Sequence, residues 1–218
     1  MNRIENRIVR NLLAKRSIAW AGEHPSYLNI AMMLSLNHIQ LTARQLKAIS
    51  RTIKEKAPCK LLVFGLGYDS LFWVSLNRGG KTVFLEDQED WLQKIAGTSN
   101  QIEAFFIHYA SRRTEWKMFL ESPASLDMPL PDPVSKERWD VILVDGPAGH
   151  KDHTPGRMKS IYLASQLIKD CGDVFVHDTN REIEDLYCNT FFRNEDLIGE
   201  IRESVGHLRH YHIVHRSV

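Results

Sequence analysis

Lys60-Leu61-Leu62-Val63-Phe64-Gly65-Leu66-Gly67-Tyr68-Asp69-Ser70 runs a short apolar segment straight into a glycine turn. Lys60–Phe64 has the length and composition of a buried strand. Gly65-x-Gly67 permits a tight turn and lets a ligand come close to the backbone. A helix beginning at about Asp69 would turn its free amides toward that ligand. The same rhythm continues downstream. Lys81–Glu86 and the segments 102–108, 139–145 and 173–177 read as further strands, and 69–76, 90–95, 155–169 and 181–192 as helices. Strands alternating with helices predict an α/β fold with a mainly parallel, doubly wound sheet. The tail alternates on both sides of Val205-Gly206, as an antiparallel hairpin does.

Upstream of the first strand the pattern is helical. Residues 2–19 predict a helix, and Glu23-His24-Pro25-Ser26 breaks it. Thr42 reads as an N-cap, with Gln45 completing a capping box, and Pro58 stops the helix that follows. This divides the chain into an N-terminal helical extension, 1–41, and an α/β domain, 42–218. Residues 121–137 hold four prolines and read as a surface loop.

The 218 residues suffice for one sizeable domain, and 43% hydrophobic with 25% charged residues is ordinary for a globular protein. A net charge of +1 creates no global field for nucleic acid or membrane, and neither is expected as a partner. Cys59, Cys171 and Cys188 are scattered and odd in number, which fits a reduced chain rather than a disulfide framework. No apolar run approaches the ~20 residues that span a bilayer. The N-terminus lacks a signal-peptide core, so a cytoplasmic location is expected.

Ligands of such sheets bind beyond the carboxyl ends of the strands, where the strand order reverses. The unusual polar residues fall there. Glu86 ends the second strand, 19 positions after Gly67, where an acid accepts ribose hydroxyls in dinucleotide folds. Two cofactor classes compete for the turn. A nicotinamide cofactor prefers a third glycine where Ser70 stands, and Asp69 would repel its pyrophosphate. The same carboxylate suits the cationic sulfonium or amino group of S-adenosylmethionine, which favours the methyl donor. A nicotinamide-dependent oxidoreductase and a non-catalytic scaffold of the same fold stay open as alternatives.

Asp145 ends the fourth strand, and His177-Asp178 ends the fifth, with Asn180 two residues on. Asp145, His177 or Asp178 could take a proton from an acceptor hydroxyl. Asp145, Asp178 and Asn180 also offer oxygen ligands for a divalent cation. The loop 150–157 carries His150 and Arg157 as candidate substrate contacts, Arg157 being suited to a carboxylate. His207, His210, His212 and His215 in the tail read as surface histidines.

Seven segments in order then resemble one family. They are Ala57-Pro58-Cys59-Lys60 with the glycine turn, Phe84-Leu85-Glu86-Asp87, Trp139-Asp140-Val141-Ile142, Asp145-Gly146-Pro147, Pro155-Gly156-Arg157-Met158, Ile161-Tyr162 and Val176-His177-Asp178. Together they resemble the glucuronoxylan 4-O-methyltransferases of plant xylan biosynthesis over roughly residues 40–215. The resemblance implies a Rossmann-like class I methyltransferase with a seven-stranded sheet and S-adenosylmethionine as cofactor. It implies cofactor contacts from Gly65, Gly67, Asp69, Ser70 and Glu86; Phe64, Tyr68, Asp87 and Asp145, their neighbours at the strand ends, are further candidate cofactor contacts. Asp145, His177 and Asp178 would line the reaction centre, with Arg157 facing a uronate carboxylate. The expected activity is O-methylation of a sugar acid or small molecule. The extension would cover the site or make a homodimer contact.

Overall fold

α1 (Arg3–Glu23), α2 (Tyr27–Leu36) and α3 (Ala43–Lys56) precede the first strand in the structure, a computed structural model that describes residues 3–214. Thr42 caps α3 as its sequence demands. Its hydroxyl accepts the Gln45 amide at 3.3 Å, and Gln45 Oε1 accepts the Thr42 amide at 2.9 Å. α2 is similarly capped by Ser26, which accepts the Asn29 amide. Tyr27–Leu36 was not read as a helix from sequence, because its apolar residues do not gather on one face: Leu28 and Met32 are exposed while Ile30 and Met33 are buried.

The strands are β1 (Lys60–Phe64), β2 (Lys81–Glu86), β3 (Glu103–Phe106), β4 (Trp139–Val144), β5 (Ile168–His177), β6 (Leu197–Glu203) and β7 (Gly206–Ile213). They form one seven-stranded sheet in the order β3-β2-β1-β4-β5-β7-β6. β1 to β5 are mutually parallel, and β7 runs antiparallel to both its neighbours. The helices between them are α4 (Ser70–Leu76), α5 (Glu89–Ala96), α6 (Trp116–Glu121), α7 (Asp132–Ser135), α8 (Met158–Leu167) and α9 (Glu182–Phe191).

Strand alternation sorts the central residues into two cores. Leu62, Phe64, Ile142, Val144, Val174 and Val176 face α8 and α9 through Ile161, Ala164, Ile183 and Tyr187. Leu61, Val63, Val141, Leu143 and Phe175 face the other side and meet Ile49, Phe72 and Trp73. Ile18, Ile30 and Met33 of the extension belong to this second core. Burying each contributes about 1.5–3 kcal/mol, so α1 and α2 are part of what stabilises the sheet.

Four local expectations need correction. Residues 121–137 lie mostly at the surface as expected, but they are not a plain loop. Pro123 and Pro133 each stand in the first turn of a short helix, and Leu126 and Val134 are fully buried beneath them. α6, just before, was also not foreseen. Finally, α8 ends at Leu167 and β5 begins at Ile168, where a polar, exposed bulge at Lys169, Asp170 and Cys171 hid the strand. Of the tail histidines, His210 and His212 turn inward onto the buried Asp173 at 2.7 and 3.1 Å, which corrects their reading as surface residues. His215 lies outside the described residues. Among the described residues, no helix is long and apolar enough to cross a membrane.

Candidate active site

The strand order reverses between β1 and β4, and there the two turns that follow these strands touch through glycine. Gly65 has φ of +106°, and a Cβ on it would stand 3.1 Å from Gly146 N. A Cβ on Gly146 would lie 2.8 Å from Gly65 Cα. The turn that follows is built around one carboxylate. Gly67 N–H donates to Ser70 Oγ at 3.0 Å, and a Cβ on Gly67 would collide with Asp69 Oδ1. Asp69 is 9% exposed and accepts the Trp73 indole N–H at 3.0 Å. Burial first, and then the charge of Asp145, push its pKa up to about 6, against the pull of the Trp73 hydrogen bond.

Glu86 closes the opposite wall. Its Oε2 accepts Leu66 N–H at 3.0 Å, and its Oε1 accepts Asp87 and Gln88 N–H at 3.0 and 2.9 Å. Burial raises the pKa of Glu86 and of neighbouring Asp87, while the amides pull Glu86 back. Trp91 donates to Leu66 O at 2.5 Å and meets Tyr68 edge-on, with ring centroids 5.4 Å apart.

β4 and β5 supply the floor. Asp145 Oδ1 lies 2.9 Å from His177 Nδ1 and 3.5 Å from Arg157 Nη2. Burial alone would raise Asp145, but the His177 hydrogen bond and the Arg157 and Arg181 charges hold it below the ordinary carboxylate range. An ionised carboxylate only accepts, so His177 Nδ1 carries the proton. Asp178 has φ of +64°, and its Oδ2 is gripped by Arg157 at 2.8 Å and Arg181 at 2.9 Å. Gly206, φ +147°, covers this pair: a Cβ there would lie 2.7 Å from both His177 Nε2 and Asp178 Oδ1. Gln45 Nε2 in turn donates to Gly206 O at 2.8 Å, tying the α3 cap to the floor.

Both halves open on one cleft of about 520 Å³, within the usual range for a small-molecule site. Residues 65–70, Glu86, Asp87, Asp145, His150, Arg157, Asp178 and Arg181 line it, and the extension adds His38, Ile39 and Gln40. His38 and Gln40 are exposed on this rim.

The family described as IRX15/IRX15L/GXM matches this sequence over residues 44–126 and 120–211. Glucuronoxylan 4-O-methyltransferase 1 of Arabidopsis thaliana is 37% identical over 193 residues, covering 79% of this chain and 67% of that protein.

The chain belongs to this family.

Another relative, arabinogalactan O-methyltransferase 2 of the same plant, is 34% identical over 187 residues, 74% of this chain and 62% of that one. The chain thus spans about two thirds of the length of these relatives. Among solved structures, a methyltransferase from Pyrococcus furiosus aligns with a TM-score of 0.51 at 15% identity, over 96% of this chain and 98% of that one. An rRNA methylase from Streptococcus thermophilus gives 0.50 at 10% identity, over 78% and 96%. At such identities the fold alone is shared, and it is the class I methyltransferase fold. Family and fold together make this IRX15/GXM-family chain an S-adenosylmethionine-dependent methyltransferase.

Within this family member the structure moves three residues out of their expected roles. Arg157 lines the cleft, but protein groups rather than open space engage its guanidinium. It is 3% exposed, and its guanidinium donates to His177 O at 2.6 Å, Asp145 O at 2.7 Å and Pro147 O at 3.3 Å besides holding Asp178. It joins the ends of β4 and β5. His177 is 1% exposed and does not line the cleft; its Nε2 points under Gly206 and has no hydrogen-bond partner among the described residues. Its Nδ1 holds Asp145. Asn180 leaves the cation set, since its Oδ1 accepts His207 N–H at 3.0 Å. Asp145, His177 and Asp178 do bring ligand atoms within 4.8 Å of one another. Two guanidiniums already balance those carboxylates. Arg181 is the residue sequence reasoning missed. Its signal was its place directly after the polar Asp178-Thr179-Asn180 turn, at the N-cap of α9.

Gly65→Ala in this methyltransferase is expected to cost about 1–3 kcal/mol, because an L side chain is strained at that φ. Thermal unfolding with and without S-adenosylhomocysteine reads both the strain and the damage to the turn. A variant that keeps its melting temperature and its ligand-induced shift would remove the backbone argument.

Proposed function

We propose that the chain methylates a hydroxyl of an acidic saccharide with S-adenosylmethionine as donor. One observation carries this reading: a single cleft holds, close to each other, a cation-seeking carboxylate, Asp69, and a solvent-reaching one, Asp145. Relatives named for glucuronoxylan and arabinogalactan support the saccharide. The cofactor fits the residues present. Asp69 is buried beside a second carboxylate, so a positive group in the cleft relieves both, whereas a diphosphate would add a third negative group.

S-adenosylmethionine supplies an electrophilic methyl carbon on a positively charged sulfur. Glu86, fixed by three amides, would offer the remaining lone pair of its Oε2 to a ribose hydroxyl. Tyr68 and Trp91, which line the cleft, would offer the base an aromatic contact. Asp145 is the carboxylate the acceptor can reach: its side chain is 21% exposed, against 6% for Asp178, which two arginines hold. Its low basicity suffices, because a hydroxyl turns strongly acidic as its oxygen bonds to carbon. The proton then passes to Asp145, and His177 and Arg157 keep that carboxylate aimed. Most of the rate comes from holding the acceptor in line.

The test is transfer of labelled methyl groups to glucuronate-bearing oligosaccharides, with neutral oligosaccharides of the same backbone as comparison. Label in the uronate alone is expected. Tight binding of NADH without binding of S-adenosylhomocysteine would overturn the reading. A pH series adds a second check. Asp69 binds a cation only when ionised, so affinity for S-adenosylmethionine is full above pH 6 and declines below it, by at most about tenfold per unit. Adenosine carries the ribose and base without either cation. Its affinity, which shares any Glu86 effect, is expected to lack this decline.

A further inference from the structure

A second groove, about 720 Å³, runs along the outer face of α3. Its lining holds four cations, Arg44, Lys47, Arg51 and Lys54, and one carboxylate, Glu55, which pairs with Arg51 at 3.0 Å. Tyr27 completes it, 58% exposed at the start of α2. Lys47 fixes that ring: its ammonium donates to Pro25 O and stands 6.0 Å from the ring centroid. An exposed ring flanked by cations offers a stacking platform for a sugar and charge for its carboxylates.

The groove leads toward the reaction centre. Arg44 precedes Gln45, whose side chain holds Gly206 over Asp178. Four residues earlier, Gln40 lies on the rim of the catalytic cleft. From Lys54 to Arg44 the helix rises about 15 Å, the reach of a few linked sugars. We infer that this groove holds the body of an acidic polysaccharide while one of its uronate residues occupies the cleft. The inference rests on the acidic-saccharide reading above and extends it from the reacting unit to the polymer. The chain's net charge of +1 makes the stripe a local feature rather than part of a basic surface.

The test uses the whole chain and the triple variant Arg44→Gln/Arg51→Gln/Lys54→Gln, all three residues being exposed and outside the catalytic cleft. Its melting temperature and S-adenosylhomocysteine affinity are expected to match the parent's. With a long glucuronoxylan the variant's KM is expected to rise at least tenfold with kcat unchanged, and with a short acceptor bearing one glucuronate both constants stay put. Added salt should raise the parent's KM for the polymer and leave the variant's nearly flat. Tyr27→Ala should raise the polymer KM without changing the salt response. An unchanged polymer KM in the triple variant, or an equal loss on the short acceptor, overturns the inference.

Retardation in gels containing glucuronoxylan, its carboxyl-reduced form, or RNA separates this from the catalytic reading, because it needs no turnover. Parent slowed by the acidic polymer alone is the expected result, and stronger retention by RNA would overturn the groove's assignment. Retardation without methyl transfer to any saccharide would sink the catalytic proposal and leave the groove standing.

Discussion

Asp145→Asn is expected to lower kcat by about 100- to 10,000-fold, the range typical for losing a general base. Affinity for S-adenosylhomocysteine should stay within a few-fold, because the amide is isosteric and Glu86 and the glycine turn are untouched. The loss should appear in kcat and kcat/KM alike, as for an interaction made mainly in the transition state. A second readout is independent of turnover. The Asp145 charge helps to push Asp69 up to about 6. Removing it should move the midpoint of the pH dependence of S-adenosylmethionine binding below 6. A variant with full kcat would show that another group, or solvent, accepts the proton.

Arg157→Leu is expected to be the most damaging single change to stability. It leaves Asp178 buried without one of its two guanidiniums and strips hydrogen bonds from the carbonyls of Asp145, Pro147 and His177. Breaking a buried ion pair from one side costs about 3–5 kcal/mol. For a chain of this size each kcal/mol shifts the melting temperature by about 2–4 °C, so a fall of about 6–20 °C is expected in calorimetry. Arg157→Lys should fall in between, since an ammonium keeps the charge and cannot span three carbonyls at once. A leucine variant melting within about 2 °C of the parent would show that the β4 and β5 ends are held by other contacts.

The sheet was legible because its signal is local. Lys60–Phe64 and Lys81–Glu86 are strands with the bounds their apolar runs predict, and Thr42 with Gln45 capped α3 as read. The site was legible only as a set of positions. Parity would have told more: Leu143 and Asp145 share a face of β4, and Phe175 and His177 share a face of β5. That places Asp145 beside His177, while Asp178, past the end of β5 at φ +64°, escapes the rule and joins them. No pattern could show that His177 ends under Gly206, since the hairpin supplying that glycine lies far along the chain. Arg157 misled for the same reason. Its partners are mostly backbone carbonyls, which every residue has and no sequence distinguishes. Residues 121–137 misled through composition, as prolines serve the first turns of short helices as well as loops.

Gly206 gives the molecule a schedule. The glycine turn, Glu86 and Asp145 all leave the ribosome before the residue that covers His177 and Asp178. The floor of the cleft is therefore completed by the segment made last among those that build it. The hairpin is pinned over that floor by a residue far upstream in the sequence, Gln45, which donates to the Gly206 carbonyl.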